Sequence, residues 1–573
     1  MYSKGQPSPQ MSRISTCLTL LGLVAFAVLT ASAAPALAQQ EPTPALFTGW
    51  RTTHADLTVH INPEERKFIV DGQITLTLDA ESAEGITLVV NTSRTAMEWV
   101  SAEVDGQACN LGLRIERFPA ARPAELQFDE PKRQGDTVQL AFQVEFKNFA
   151  NQVGLAPEIA LASWTDAWYP FPLPRIDRGE EFTASLLSAP GKTTFHLPPG
   201  WSALCDGVLV SREANEEEVV EVRELGEAHV ARSFSAAAYQ HGQVERNGRQ
   251  AAAYLLKERE QSVDDMAELF DQIITAQEEA FGPYPFTTVG VAEVIERIPG
   301  WYAASQQTFI MAKSSAFEHG HVNLPLWSHE LCHAWWGNTV MTTGDAEKVV
   351  SESLAQFGAV LAIEALEGVE ARNKFLEYSR SGYSPLQCAR GYAYLLIQGK
   401  DHPLSDLSNS ELDGGTTHSL ADSKGMWFYH MLRLRVGDEL MFSTLKKIVE
   451  DYRHRPLSLA DLRARFIAAA PEHDLEPFFA QWLDRTGAPR LTSQVDAETR
   501  TVVVEQTQDG EPFRLDVDVK VNFADGSSED HSVALSERTA SLKLKSEKDV
   551  ESIELDPDKK ILLLRPEYKQ AHD

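Results

Sequence analysis

Two histidines and a glutamate stand at a spacing suited to metal-assisted hydrolysis, in His329-Glu330-Leu331-Cys332-His333. On a helix, residues four apart lie nearly on one face, so His329 and His333 can present two imidazoles to one point. Glu330, between them, is then placed to act on water activated by the ion. Such short patterns also recur by chance in ordinary helices, so the rest of the chain has to supply a third ligand. Eighteen residues separate His333 from Glu352, in Val349-Val350-Ser351-Glu352-Ser353-Leu354-Ala355-Gln356-Phe357. The intervening Thr342-Thr343-Gly344-Asp345 offers a turn, so a second helix can carry Glu352 back to the first. A catalytic zinc site uses three protein ligands and keeps a fourth position open. The pattern predicts one zinc ion per chain at His329, His333 and Glu352, with Glu330 as general base. Cys332 faces away from the histidines on the helix, and packing is its expected role.

The elements that position these residues follow from hydrophobic period. Leu57, Val59 and Ile61 alternate with polar residues, Asn62-Pro63-Glu64-Glu65 forms a turn, and Phe68, Val70, Ile74, Leu76 and Leu78 continue the alternation. Similar short runs extend to about Gln243. The acidic run Glu213 to Glu227 suits a solvated hairpin, and Trp168-Tyr169-Pro170-Phe171-Pro172 suits packing within the β region. The period then changes. Ser262-Val263-Asp264-Asp265 is a capping box ahead of a helical stripe of Met266, Leu269, Phe270, Ile273 and Ile274. Strand-like pieces, Thr288–Val294 and Gln307–Met311, precede the metal-binding helix. From about Leu491 the period of two returns, with Leu515, Val517, Val519, Val521 and Phe523 in strict alternation, then Leu542, Leu544, Ile553 and Leu555.

These patterns predict a multidomain α+β chain: an N-terminal all-β domain over 48–245, a mainly helical catalytic domain over 246–490, and a C-terminal β-sandwich over 491–573. A chain of 573 residues is too long for one core. With 52 basic and 83 acidic residues the net charge is −31, which argues against nucleic acid or an anionic membrane as partner. Residues 1–38 hold no acid, a basic Arg13, an apolar run from Cys17 to Ala31 and the small-residue end Ala36-Leu37-Ala38. They read as a signal peptide, with 39–47 a linker, so the mature protein is expected outside the cytoplasm, periplasmic or extracellular, without a stable membrane anchor. No further run of spanning length is expected. Cys109, Cys205, Cys332 and Cys388 show none of the tight spacings of a disulfide scaffold. Glu318-His319-Gly320-His321 reads as a loop with two exposed histidines.

Beyond the zinc residues, Phe281-Gly282-Pro283-Tyr284-Pro285-Phe286, Trp335-Trp336-Gly337-Asn338 and Phe479-Ala480-Gln481-Trp482-Leu483-Asp484-Arg485-Thr486-Gly487-Ala488-Pro489 resemble segments of the aminopeptidase N family of zinc metallopeptidases, which includes leukotriene hydrolase. The resemblance implies a thermolysin-like catalytic domain, a peptide substrate, zinc at His329, His333 and Glu352, and Glu330 as base. Two positions depart from it. The family holds the substrate's amine with the glutamate of a Gly-Ala-Met-Glu-Asn motif, but the matching stretch from Gly300 to Phe309 contains no acid, and Ala303 or a neighbour stands at that place. An α-ammonium buried without a carboxylate is costly, so N-terminal specificity loses its physical basis. The family also steadies the oxyanion with a tyrosine two residues before a Lys-Gly pair. Here Asp422 precedes Lys424-Gly425. An ionised carboxylate repels developing negative charge, so Asp422 is protonated, or Tyr302 or His418 serves instead, or turnover is poor. The competing reading is a zinc-binding protein of weak activity that holds peptides or partners.

Overall fold

In a computed structural model of the chain, the described residues are 49–569 apart from 92–96, 109–111, 114–120, 148–152, 165–167, 173–188, 227–231, 260–261, 299–301, 318–322, 379–385 and 497. The expected signal peptide, Cys109 and the loop with His319 and His321 therefore lie outside them.

Alternation builds the N-terminal β region. Lys67–Leu78 buries Phe68, Val70, Ile74, Leu76 and Leu78 on one face and pairs antiparallel with Trp50–Asn62 and Thr137–Lys147. These are the central strands of an eight-stranded sheet, accompanied by two four-stranded sheets. At the turn between the first two strands, Asn62 Oδ1 accepts the Glu65 N–H at 3.0 Å. Val208–Ala214 and Val219–Leu225 form the acidic hairpin, solvated along its first strand. Trp168, Tyr169 and Phe171 are buried in the core of this region, where Phe234 packs edge-on against Trp168.

The hairpin of Gln240–Arg246 and Arg249–Leu255 belongs to the next sheet, because Arg249–Leu255 pairs in parallel with Thr288–Val294. Period-two patterning buries a face without naming the sheet that receives it. This five-stranded sheet continues through Phe309–Lys313 and ends on the short edge strand Ala303–Ser305.

Three helices pack against one another beside this sheet. Helix α1, Val263–Phe281, starts at the Ser262–Asp265 capping box and buries Met266, Phe270, Ile273 and Ile274. Helix α2, Leu324–Cys332, is buried along its whole length. Helix α3, Ser353–Glu367, follows a π-helical turn, Glu347–Glu352. Gln277 of α1 donates to the Ser328 carbonyl of α2 at 2.7 Å. Where α2 meets α3, a Cβ on Gly358 would lie 2.4 Å from Cys332 Sγ, so glycine is what lets the two helices approach this closely. Cys332, Cys205 and Cys388 are buried, and Cys332 packs as expected. Contrary to the expectation of no further run of spanning length, Glu347–Glu367 is one by length and composition, but 72% of its apolar window is buried inside the protein. It is apolar because α1, α2 and the helix Met426–Val436 cover it.

The C-terminal strands form two three-stranded sheets, Leu491–Asp496/Thr501–Gln506/Thr539–Lys543 and Ser528–Leu535/Leu515–Phe523/Val550–Leu555. Leu515, Val517, Val519, Val521 and Phe523 are buried in alternation, as expected. All three regions lie within one compact unit, Leu46–Asp573.

Asp206 of the N-terminal β region reaches the catalytic sheet. Its carboxylate accepts the Thr308 N–H at 3.0 Å, the Thr308 hydroxyl at 3.1 Å and the Ser233 N–H at 2.8 Å. Burial pushes this carboxyl up to about 6, against those hydrogen bonds and the nearby Arg232 charge.

Two outcomes follow. Gly358→Ala gains about 1 kcal/mol of helix propensity but overpacks buried Cys332 at the upper end of about 1–3 kcal/mol, for a net loss of about 1–2 kcal/mol in denaturant unfolding. Unchanged or increased stability would contradict the close seating of α2 on α3. A carboxyl raised on folding lends stability below its unfolded pKa and loses it as pH rises through the folded value. The stability difference between wild type and Asp206→Asn should therefore grow in favour of wild type by about 2–3 kcal/mol from pH 7 to pH 4. A difference that stays flat with pH would contradict the burial of this charge.

Candidate metal centre

His329 lies in the last turn of α2, and His333 caps its C-terminus with helical φ −59° and ψ −18°. Each ring is fixed through Nδ1. The His329 Nδ1–H donates to Gln356 Oε1 at 2.8 Å, and the His333 Nδ1–H to the Trp336 carbonyl at 3.0 Å. With both Nδ1 atoms so engaged, both Nε2 atoms face inward, the arrangement found behind metal-binding histidines. The two Nε2 atoms lie 3.2 Å apart, and Glu352 Oε2 lies 3.5 Å from the first and 3.7 Å from the second. A tetrahedral ion with bonds of about 2.1 Å holds its ligand atoms about 3.4 Å apart, so this donor set fits zinc in type, number and spacing. Glu330 is 7% exposed on the same helix, next to the first ligand.

The electrostatics agree. Burial pushes the His329 imidazole down, but its hydrogen bond to Glu352 and the charges of Asp422, Glu330 and Glu352 outweigh that and raise it to about 9. Burial alone would raise the Glu352 carboxyl. His418, His329, His333 and Lys348 together hold it well below the usual carboxylate range. The carboxylates of Asp422, Glu330 and Glu352 around His329 supply the negative charge that a divalent cation can answer.

The helix Gly414–Leu420 and the π-helical turn Ala421–Gly425 bring a second group to Glu352. His418 Nδ1 lies 3.6 Å from Glu352 Oε2, and its Nε2 lies 3.1 Å from Asp422 Oδ2. The Asp422 and Glu352 carboxylates raise the His418 ring to about 10, with burial opposing them. Asp422 is fully buried, and the Gln387 amide donates to the same Oδ2. The carboxylate thus pairs with His418, and Glu352, His418 and Asp422 each bring a ligand atom to within 4.8 Å of one another. Gly425 is required here, because a Cβ would lie 2.0 Å from Ser353 Oγ.

On the other side of Glu330 runs the segment Ser305–Ile310, which together with Glu330, Leu331 and Ala334 lines a small cavity. Asn338 donates to the Gln306 carbonyl at 2.9 Å, and Ser163 of the β region donates to Gln306 Oε1 at 3.2 Å. With Asp206 on Thr308, both ends of this segment are clamped from outside the catalytic sheet. Tyr302 sits just before the edge strand, half-buried against the core, with its carbonyl accepting the Lys313 N–H. Trp335 anchors the end of α2 by donating to the carbonyls of Gly282 and Pro283. Of these supporting residues, Gln356 carried a sequence signal, four positions past Glu352 on the same helix face. His418 and Asp422 share that spacing. Ser163, Asp206 and Gln387 carried none.

Residues 300–482 match the Peptidase family M1 domain. Human Aminopeptidase O is 25% identical over 251 residues, covering 40% of this chain and 30% of the relative. Aminopeptidase N of Lactococcus lactis subsp. lactis is 27% identical over 190 residues, covering 32% of this chain and 21% of the relative. The matched stretch thus spans less than a third of these relatives' length. A solved M1 zinc metallopeptidase mutant from Deinococcus radiodurans, bound to a Tyr-Ser-Ala substrate, superposes with a TM-score of 0.57 at 17% identity, covering 77% of this chain and 96% of that one. At that identity the superposition speaks for the fold, which is the order of β region, helical domain and β strands described above. Residues 300–482 thus match a peptidase family M1 domain, and the described fold is that of M1 zinc metallopeptidases.

Proposed function

We propose that the chain is an exported zinc metallopeptidase that hydrolyses peptide bonds without depending on a free N-terminus. The observation that carries this reading is the convergence of His329, His333 and Glu352 at tetrahedral spacing with Glu330 beside them. Zinc held there would act as a Lewis acid toward a carbonyl oxygen and bring water's pKa toward neutrality. Glu330 takes the proton of the attacking water and delivers it to the leaving nitrogen. The strand Ala303–Ser305 stands at the edge of its sheet among the described residues, where an extended peptide can pair as at other sheet edges. The clamped Gln306–Thr308 segment keeps that edge at a fixed height over Glu330.

The stretch Tyr302 to Thr308 bears amide, hydroxyl and methyl side chains and no carboxylate. A substrate ammonium would lose its hydration there without gaining a counter-charge, so free and blocked peptides should be handled alike. Matched peptides test this with zinc-loaded protein. The expected kcat/KM for the blocked peptide lies within about tenfold of that for the free one, and Glu330→Ala lowers kcat by about 10²–10⁴-fold with one zinc per chain retained. A free-end preference above about a hundredfold would contradict the substrate reading, since a charged hydrogen-bond pair gives discrimination of that order. Cleavage of neither peptide by zinc-loaded protein would contradict peptidase activity.

Export rests on the basic, apolar and small-residue succession of residues 1–38. Intact-mass measurement of the protein recovered outside the cytoplasm should place the mature N-terminus at Gln39. An intact Met1 on that protein would contradict cleavage.

A further inference from the structure

We propose that His418, oriented by Asp422, meets the substrate's carbonyl oxygen as it gains negative charge, in place of the tyrosine of similar enzymes. This deepens the peptidase reading and rests on it.

The ring is placed for that contact. Its Nδ1 stands 3.6 Å from Glu352 Oε2, and its centroid lies 6.4 Å from that of His329. It is also within reach of a substrate, with 38% of its side chain exposed against 4% for His329. Both ring nitrogens face carboxylate oxygens, Nε2 toward Asp422 and Nδ1 toward Glu352. With Nε2 held by Asp422, Nδ1 is the nitrogen turned toward the centre, where an N–H on it can meet an oxygen.

The support behind the ring is rigid. Asp413 caps the helix Gly414–Leu420, with its Oδ1 accepting the Thr416 N–H at 3.0 Å. One turn after His418, Asp422 accepts from His418 and Gln387 through Oδ2, while its buried Oδ1 has no hydrogen-bond partner among the described residues. Asp422's charge is therefore answered mainly through His418. The following π-helical turn is seated on α3, where the Ser353 hydroxyl donates to the Ala421 carbonyl at 2.8 Å. Ser353 is the residue next to Glu352, so the His418 frame and the metal ligand are fixed to one turn of backbone.

In the reaction, the water oxygen bonds to the carbonyl carbon and the C=O π pair moves onto oxygen. His418 Nδ1–H donates to that oxygen. The pair re-forms C=O as the C–N bond breaks, and the nitrogen leaves with the proton carried by Glu330. His418 contacts a reacting atom and is catalytic. Asp422 acts through it and is a positioning residue. An imidazole backed by a carboxylate removes the repulsion that an exposed Asp422 would bring to this place.

The test uses the zinc-loaded mature protein, His418→Ala, Asp422→Asn and the double variant. Three quantities are read: zinc per chain, kcat and KM on a blocked peptide, and calorimetric affinity for a phosphonate peptide, whose tetrahedral anion mimics the intermediate. His418→Ala should keep its zinc and its KM while lowering kcat and phosphonate affinity by about 10²–10³-fold. Asp422→Asn should lose less, and the double variant should be no worse than His418→Ala, because Asp422 acts through the ring. His418→Gln, which keeps an N–H on a folded chain, should recover part of the loss. Phosphonate affinity within about threefold of wild type in both His418 variants, or losses that multiply in the double variant, would overturn the proposal. If wild type cleaves no peptide, the peptidase reading fails, while the phosphonate affinities still decide the role of His418.

Discussion

Helix α2 meets α3 at Cys332 and Gly358, where one added carbon would sit 2.4 Å from the sulfur. The separation of the two helices decides whether a carboxylate on the turn before α3 can reach two imidazoles on α2. Nothing local in sequence joins them, since eighteen residues intervene between His333 and Glu352. Buried helix-to-helix packing must therefore hold three ligand atoms to within a fraction of an ångström, a task for a close-packed interior. Gln356 of α3 extends the same contact into chemistry. By accepting from His329 Nδ1 it orients that imidazole from the helix that follows Glu352.

A second constraint runs from the N-terminal β region. Ser163 and Asp206 hold Gln306 and Thr308, and Asn338, just beyond the metal-binding helix, holds the Gln306 carbonyl. The segment facing Glu330 is thus positioned by three separate parts of the chain. A free loop at this place would spread the reacting groups over many arrangements, and fixed orientation is a large part of what an active site contributes. A buried carboxylate at Asp206 costs stability near neutral pH, and it is offset by three hydrogen bonds that set the geometry.

Much of this was legible in the sequence because it repeats at a fixed period. Phe68 to Leu78 and Leu515 to Phe523 alternate and become strands, and Ser262 with Asp265 marks the start of α1. The positions of His329, Glu330, His333 and Glu352 follow from helical spacing and one turn. The spacing of His418 and Asp422 was also visible, but which of them faces the centre was not. That depends on the π-helical turns around Glu352 and Asp422, whose extra residue rotates the side chains and leaves no mark in composition. The clamps were invisible for another reason. Ser163 and Gln306 lie 143 residues apart, and a single sequence carries no signal for which distant polar groups will meet. The strand Gln240–Arg246 shows the same limit, since its alternation announces a strand and leaves open which sheet it joins.

The account stands on one ion bound between two helices. Anomalous diffraction from crystals of the mature protein, recorded on both sides of the zinc absorption edge, tests this most directly. The account predicts one zinc-specific peak per chain, bonded to His329 Nε2, His333 Nε2 and the Glu352 carboxylate, with a position left open toward Glu330 and His418. A zinc-saturated crystal with no peak there, or with the peak at other residues, would contradict it.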